Sequence, residues 1–113
     1  MAPNKFIGLL FQSRDAMHLA HLNTTSFAEH KALGMYYNEI LEITDSFTEK
    51  LFGRSGRLEI VIPESKVQDA ASHLKGLQVI IEAERENYAS DLQNILDEAL
   101  GLVNKTLYLL TLV

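Results

Sequence analysis

Five side chains in this chain have the chemistry to hold a metal ion: His18, His21, His30, Asp45 and Glu49. Neutral imidazoles and carboxylates are the donors that suit Fe(II), Mn(II) or Zn(II). Their spacing carries more information than their types. His30 and Asp45 lie fifteen residues apart on what reads as one helix, roughly 22 Å at a rise of about 1.5 Å per residue. No single ion touches both from one chain. Fifteen residues is nevertheless close to a whole number of turns, so the two groups share a face. Half a site at each end of one face suggests a site completed by a second copy of the helix across a two-fold axis. His18 and His21 are i, i+3 and can face the same way. Asp45 and Glu49 are i, i+4, and two carboxylates that close want a shared cation or proton. The plain reading of each is a hydrogen-bonded structural histidine or a solvated pair of acids.

The elements that must position these groups are helices. Ser26-Phe27-Ala28-Glu29, Ser65-Lys66-Val67-Gln68 and Ser90-Asp91-Leu92-Gln93 each fit the S-x-x-E/Q capping box, in which the serine accepts from the N3 backbone N–H and the Glu or Gln reaches back. The first helix is expected from about Pro3 or Asn4 to Leu22, with Phe6, Leu9, Leu10, Ser13, Met17 and Ala20 facing a core. The second runs from Phe27 to Phe52, with Leu33, Tyr36 or Tyr37, Ile40, Thr44, Phe47 and Leu51 inward. Gly53 suits the residue after its end, because glycine enters the left-handed region cheaply.

Residues 53–64 read as a connector, with Leu58 to Ile62 (LEIVI) extended and lacking a strand partner. The third helix is expected over 66–86, with Val67, Ala70, Leu74, Leu77 and Ile81 inward. The fourth is expected over 91–111, with Leu92, Ile95, Leu96, Ala99, Leu102, Val103, Leu107 and Leu110 inward. Short first and last turns with one long central crossover are the connectivity of an all-α, ferritin-like four-helix bundle. At 113 residues the natural count is one domain over 1–113.

Composition excludes several chemistries. There is no cysteine, so disulfides, thiolate metal sites and cysteine nucleophiles are absent; a reducing cytoplasmic home is compatible with that. Ten basic residues against fifteen acidic ones give a net charge of −5, which argues against nucleic-acid binding through bulk positive charge. Lys50, Arg54 and Arg57 are the nearest thing to a basic patch, and they read as a solvated helix end favoured by the dipole. The apolar stretch Thr106 to Val113 is too short to span a bilayer. The segment Gly53-Arg54-Ser55-Gly56 lacks the lysine of a phosphate-binding loop, and no H-E-x-x-H occurs.

The offsets from His18 to His30, Asp45 and Glu49 are 12, then 15, then 4 residues, and this pattern resembles the mini-ferritins of the Dps class, most nearly the small Dps-like proteins of tailed phages. Lys105-Thr106-Leu107-Tyr108-Leu109-Leu110 is similar to that family's closing K-x-x-W-x-L, with Tyr108 at the tryptophan. The resemblance runs from about Phe6 onward. It implies that the histidines of one subunit face the aspartate and glutamate of a two-fold neighbour, that iron is the metal, and that Fe(II) oxidation and storage follow within a homo-oligomeric cage of up to twelve subunits. His18 or His21 can be the first-helix ligand. The chain departs from the family at Gly34, where an acid is usual, and at Leu19 or Leu22, where a tryptophan is usual. Losing the acid implies weaker iron binding and brings manganese or zinc into play. The runner-up expectation is a ferritin-fold interaction or scaffold module without catalysis, a phage accessory factor in which the same residues make interface hydrogen bonds. A homo-oligomer, at least a dimer, is expected on either reading; DNA and membrane partners are not.

Overall fold

The computed structural model describes residues 1–112; Val113, the last residue of the apolar tail, lies outside them. It is all-helical: α1 spans Pro3–Asn23, α2 Phe27–Ser55, α3 Ala70–Arg85 and α4 Ser90–Leu109. Helix α1 packs on α2 and α3, and α4 packs on the same two, so α1 and α4 lie diagonally across a four-helix bundle. No described helix is long and apolar enough to cross a membrane.

Local chemistry explains the helix ends. Pro3 opens α1, where its missing N–H costs nothing. Ser26 Oγ accepts from the Glu29 backbone N–H at 3.2 Å and caps α2. The other half of that capping box is taken locally: the Ser26 N–H donates to Thr24 Oγ1 at 3.1 Å. Helix α2 runs past Phe52 to Ser55, with Gly53 inside it. The terminating glycine is Gly56, at φ 89°, whose N–H donates to the Phe52 carbonyl at 2.8 Å.

The expected start of the third helix is corrected. Ser65 caps nothing; Asp69 caps α3, its carboxylate accepting from the Ser72 N–H at 3.0 Å. The reason is distance. The connector runs along α1, with the Glu59 carbonyl accepting from Asn4 Nδ2, the Glu64 carbonyl accepting from Gln12 Nε2, and residues 67–70 lining one cleft with Ala20 and Asn23. Four extended residues cover about 13 Å and four helical ones about 6 Å, so a helix begun at Lys66 would fall short. Val67, expected in the core, is exposed in consequence. Helix α4 starts one residue earlier than expected, without a side-chain cap, and ends two residues sooner.

The connector lies directly on α1. A Cβ on Gly8 would sit 1.7 Å from the Val61 carbonyl oxygen, so only glycine permits this seat. The crossover therefore returns the chain to the end of the bundle where α1 finishes and α2 begins. Phe6, Phe47 and Tyr88 close the opposite end as an aromatic knot with centroids 5.1–5.9 Å apart. Between the ends the core is filled by the predicted stripes, including Leu10, Met17, Leu33, Ile40, Leu74, Ile81, Leu96 and Val103.

Candidate functional site: a histidine cluster at the first hairpin

The three histidines of α1 and α2 meet at the α1–α2 hairpin. Arg14, His18 and His21 follow one another at helical spacing on α1; His30, Gly34 and Tyr37 do the same on the facing side of α2. The turn between the helices is only three residues, which brings the last turn of α1 against the first turn of α2. The imidazoles of His21 and His30 stack with centroids 3.7 Å apart and planes 16° from parallel. Each ring also reaches the other's backbone: His21 Nδ1 lies 2.6 Å from the His30 carbonyl, and His30 Nδ1 lies 2.8 Å from the His21 carbonyl. A carbonyl oxygen only accepts, so both Nδ1 atoms carry the hydrogen, and a ring in its neutral form keeps its lone pair on Nε2.

His18 lies beside this pair, 6.1 Å from His21 between centroids, and stacks on Tyr37 at 4.1 Å. His21 and Tyr37 meet edge to face with centroids 5.2 Å apart, and the Arg14 guanidinium lies 5.9 Å from the Tyr37 ring. Gly34 gives the stack room: a Cβ there would be 3.0 Å from His21 Cε1, so the ring would have to give by a few tenths of an ångström. The imidazole thus lies against the position where any side chain at residue 34 would begin.

Asp45 and Glu49 do not join the cluster. Both are exposed further along α2, and neither makes an ion pair or a side-chain hydrogen bond among the described residues. Among those residues no group of three or more His, Asp or Glu side chains is placed to hold a metal ion. One chain therefore brings together His18, His21 and His30 and leaves the two acids apart.

A second polar constellation escaped the sequence reading. His73 Nε2 lies 2.8 Å from Ser13 Oγ, Ser13 Oγ lies 2.6 Å from the Tyr36 hydroxyl, and His73 Nδ1 lies 3.2 Å from Gln68 Oε1. Ser13 and Tyr36 are fully buried. Burial raises the Tyr36 phenol well above its ordinary range, opposed by the Ser13 hydrogen bond, and burial lowers His73. The available signal was Ser13 itself, a polar residue on an otherwise apolar stripe, since a buried hydroxyl must find a partner. The structure also separates the two tyrosines left open by periodicity: Tyr36 is core and Tyr37 belongs to the histidine cluster.

A family model described as a family of unknown function, DUF5856, matches residues 21–110. The chain belongs to the DUF5856 family. The matched span holds His21, His30, Asp45, Glu49 and His73, while His18 and Ser13 precede it. Among curated proteins, this DUF5856 member is 27% identical over 112 residues to the "uncharacterized 14.6 kDa protein in mobD-ri intergenic region" of Enterobacteria phage T4, covering 96% of this chain and 88% of that one. No solved structure gives a significant match.

Proposed function

We propose that this protein is a Dps-like, homo-oligomeric mini-ferritin that binds a divalent metal between copies, with imidazoles from the hairpin of one chain and Asp45 and Glu49 from α2 of another. The observation that carries this reading is the anchoring of His21 and His30. A metal-ligating histidine characteristically donates its other ring N–H to a carbonyl or carboxylate. Here both rings do so, and both direct the tautomer that leaves Nε2 as the donor atom. Asp45 and Glu49, exposed and without ion-pair or side-chain hydrogen-bond partners among the described residues, supply the missing anionic ligands. Two imidazoles and two carboxylates fit iron, manganese or zinc. When iron is bound, it supplies Fe(II) oxidation and then storage.

The donor chemistry fits the metal better than the ring orientation does. Imidazole lone pairs lie in the ring plane, and planes 16° apart with centroids 3.7 Å apart do not converge on one ion at about 2 Å from each nitrogen. Loading therefore requires one ring of the stack to turn, with His18 as the neighbouring imidazole available to join. The closed stack favours a second reading, a metal-free oligomeric module in which the histidines serve only to fasten the hairpin and face the acids of a second copy. A phage accessory role for such a module draws support from the similarity to the phage T4 protein.

Native mass spectrometry with elemental analysis on protein purified without chelators separates the two. An oligomer carrying iron, manganese or zinc is expected. His30→Ala and Asp45→Asn should each abolish metal uptake, and mixed oligomers of the two variants should recover part of it, because some interfaces then hold one intact half from each chain. Oligomers that assemble but stay empty after adding Fe(II), Mn(II) and Zn(II) leave the module.

A further inference from the structure

We infer that His73 is a proton-operated latch, holding the crossover and the start of α3 on the α1–α2 hairpin while it is neutral and releasing them when it is charged. The relay takes one side chain from each of four successive pieces of the chain: Ser13 from α1, Tyr36 from α2, Gln68 from the connector and His73 from α3. Its hydrogens can be counted. The Gln68 Oε1 atom only accepts, so His73 Nδ1 donates to it. Neutral His73 then accepts at Nε2 from the Ser13 hydroxyl, and Ser13 accepts from Tyr36. Two hydroxyl hydrogens serve two contacts, and every hydrogen in the chain is used. The opposite orientation of the Gln68 amide would reverse the order and leave the Tyr36 hydrogen without an acceptor.

Charging His73 places a third hydrogen, on Nε2, into the same two contacts. Whichever way the chain then runs, one hydrogen among His73, Ser13 and Tyr36 has no acceptor. Ser13 and Tyr36 are at 0% exposure, and Tyr36 has no other hydrogen-bond partner among the described residues, so water cannot satisfy it where it stands. The way out is to move His73, which lines the wall of an open cleft of about 280 Å³. Moving it also frees Gln68, one residue before the Asp69 cap of α3.

The cleft wall offers the charged form no counter-charge. The cleft is lined by Leu9 and Gln12 from α1, Gln68 from the connector, and Ser72, Gly76, Leu77 and Ile80 beside His73 on α3, with nothing charged among them and nothing from α4. Tyr36, reached through Ser13, titrates far above this range. The nearest acid along the chain, Asp69, already accepts from the Ser72 N–H, and Lys75 acts on Asp69.

The sign of the pH dependence follows. Because folding depresses the histidine, its contribution is fully present above the ordinary histidine value and is lost as pH falls through the folded value. The test is hydrogen exchange by mass spectrometry over residues 64–76 between pH 7.5 and 5, corrected for intrinsic rates, with histidine NMR titration alongside. Opening of that segment is expected to rise by up to tenfold for each pH unit between the open and the closed titration points. His73→Gln, which keeps a polar side chain and cannot titrate, should flatten the dependence. Ser13→Ala removes a hydrogen bond made only to neutral His73 and should move its titration upward. A corrected exchange that is flat with pH in the unmodified chain, or equally steep in His73→Gln, or a His73 titration that Ser13→Ala leaves in place, overturns the latch.

Discussion

The His21–His30 stack and the His73 relay use the same first hydrogen bond and reach opposite ends. In both, Nδ1–H is fixed on an oxygen that can only accept. At the hairpin the other nitrogen of each ring has no hydrogen-bond partner among the described residues, and the surroundings are half-exposed. At His73 the other nitrogen is consumed by Ser13, and behind it lies a fully buried phenol. A histidine can present a donor atom to a ligand only where folding leaves it one. The hairpin pair retains that capacity, while His73 has given it up to couple protonation to the packing of four chain segments.

The sharpest way to break this contrast is Ser13→Ala. It leaves the buried Tyr36 hydroxyl and His73 Nε2 unpaired, and it should lower stability by about 1–3 kcal/mol in urea unfolding at pH 7.5. A loss far below that range would mean that water reaches the relay and that the two regions differ less than their burial implies. A smaller effect is expected at the hairpin. Gly34→Ala gains up to about 1 kcal/mol of helix propensity and sets a methyl group 3.0 Å from His21 Cε1, so the net change in stability should be within about 1 kcal/mol of zero. The stack itself must shift, and the ring movement that the proposed metal loading requires then comes more easily. Zinc or manganese titration by calorimetry should therefore show equal or tighter binding than in the unmodified chain. Weaker binding at unchanged stability would mean that the stacked arrangement is itself what the ligand needs.

Much of the bundle was legible from periodicity. Leu33, Ile40, Thr44, Phe47 and Leu51 on α2, and Leu92 through Val103 on α4, are buried where their spacing puts them. The ends were less legible, because local capping signals are nearly degenerate. Ser65 and Asp69 are comparable caps, and the length of α1 alongside the connector decides between them. At the site, the residue types were legible and their arrangement was not. The reciprocal carbonyl bonds depend on the three-residue turn 24–26 and on side-chain rotation, neither of which spacing reports. His73 reads as an ordinary helix histidine because its partner Ser13 stands 60 positions earlier, and only the return of the crossover brings them together.

The seat of the Val61 carbonyl on Gly8 governs where this architecture can tolerate change in length. From Glu59 onward the strap is tied to α1 at Asn4, at Gly8 and at Gln12 before it reaches the Asp69 cap. An extra residue inside that span has to bulge or slip one of those ties. Residues 56–58 carry no such tie and are exposed, so DUF5856 chains of different length are expected to absorb the difference there. A relative with a side chain at the position of Gly8 would have to lead its crossover along another path. One missing methyl group thus acts as a register mark for the whole second half of the bundle.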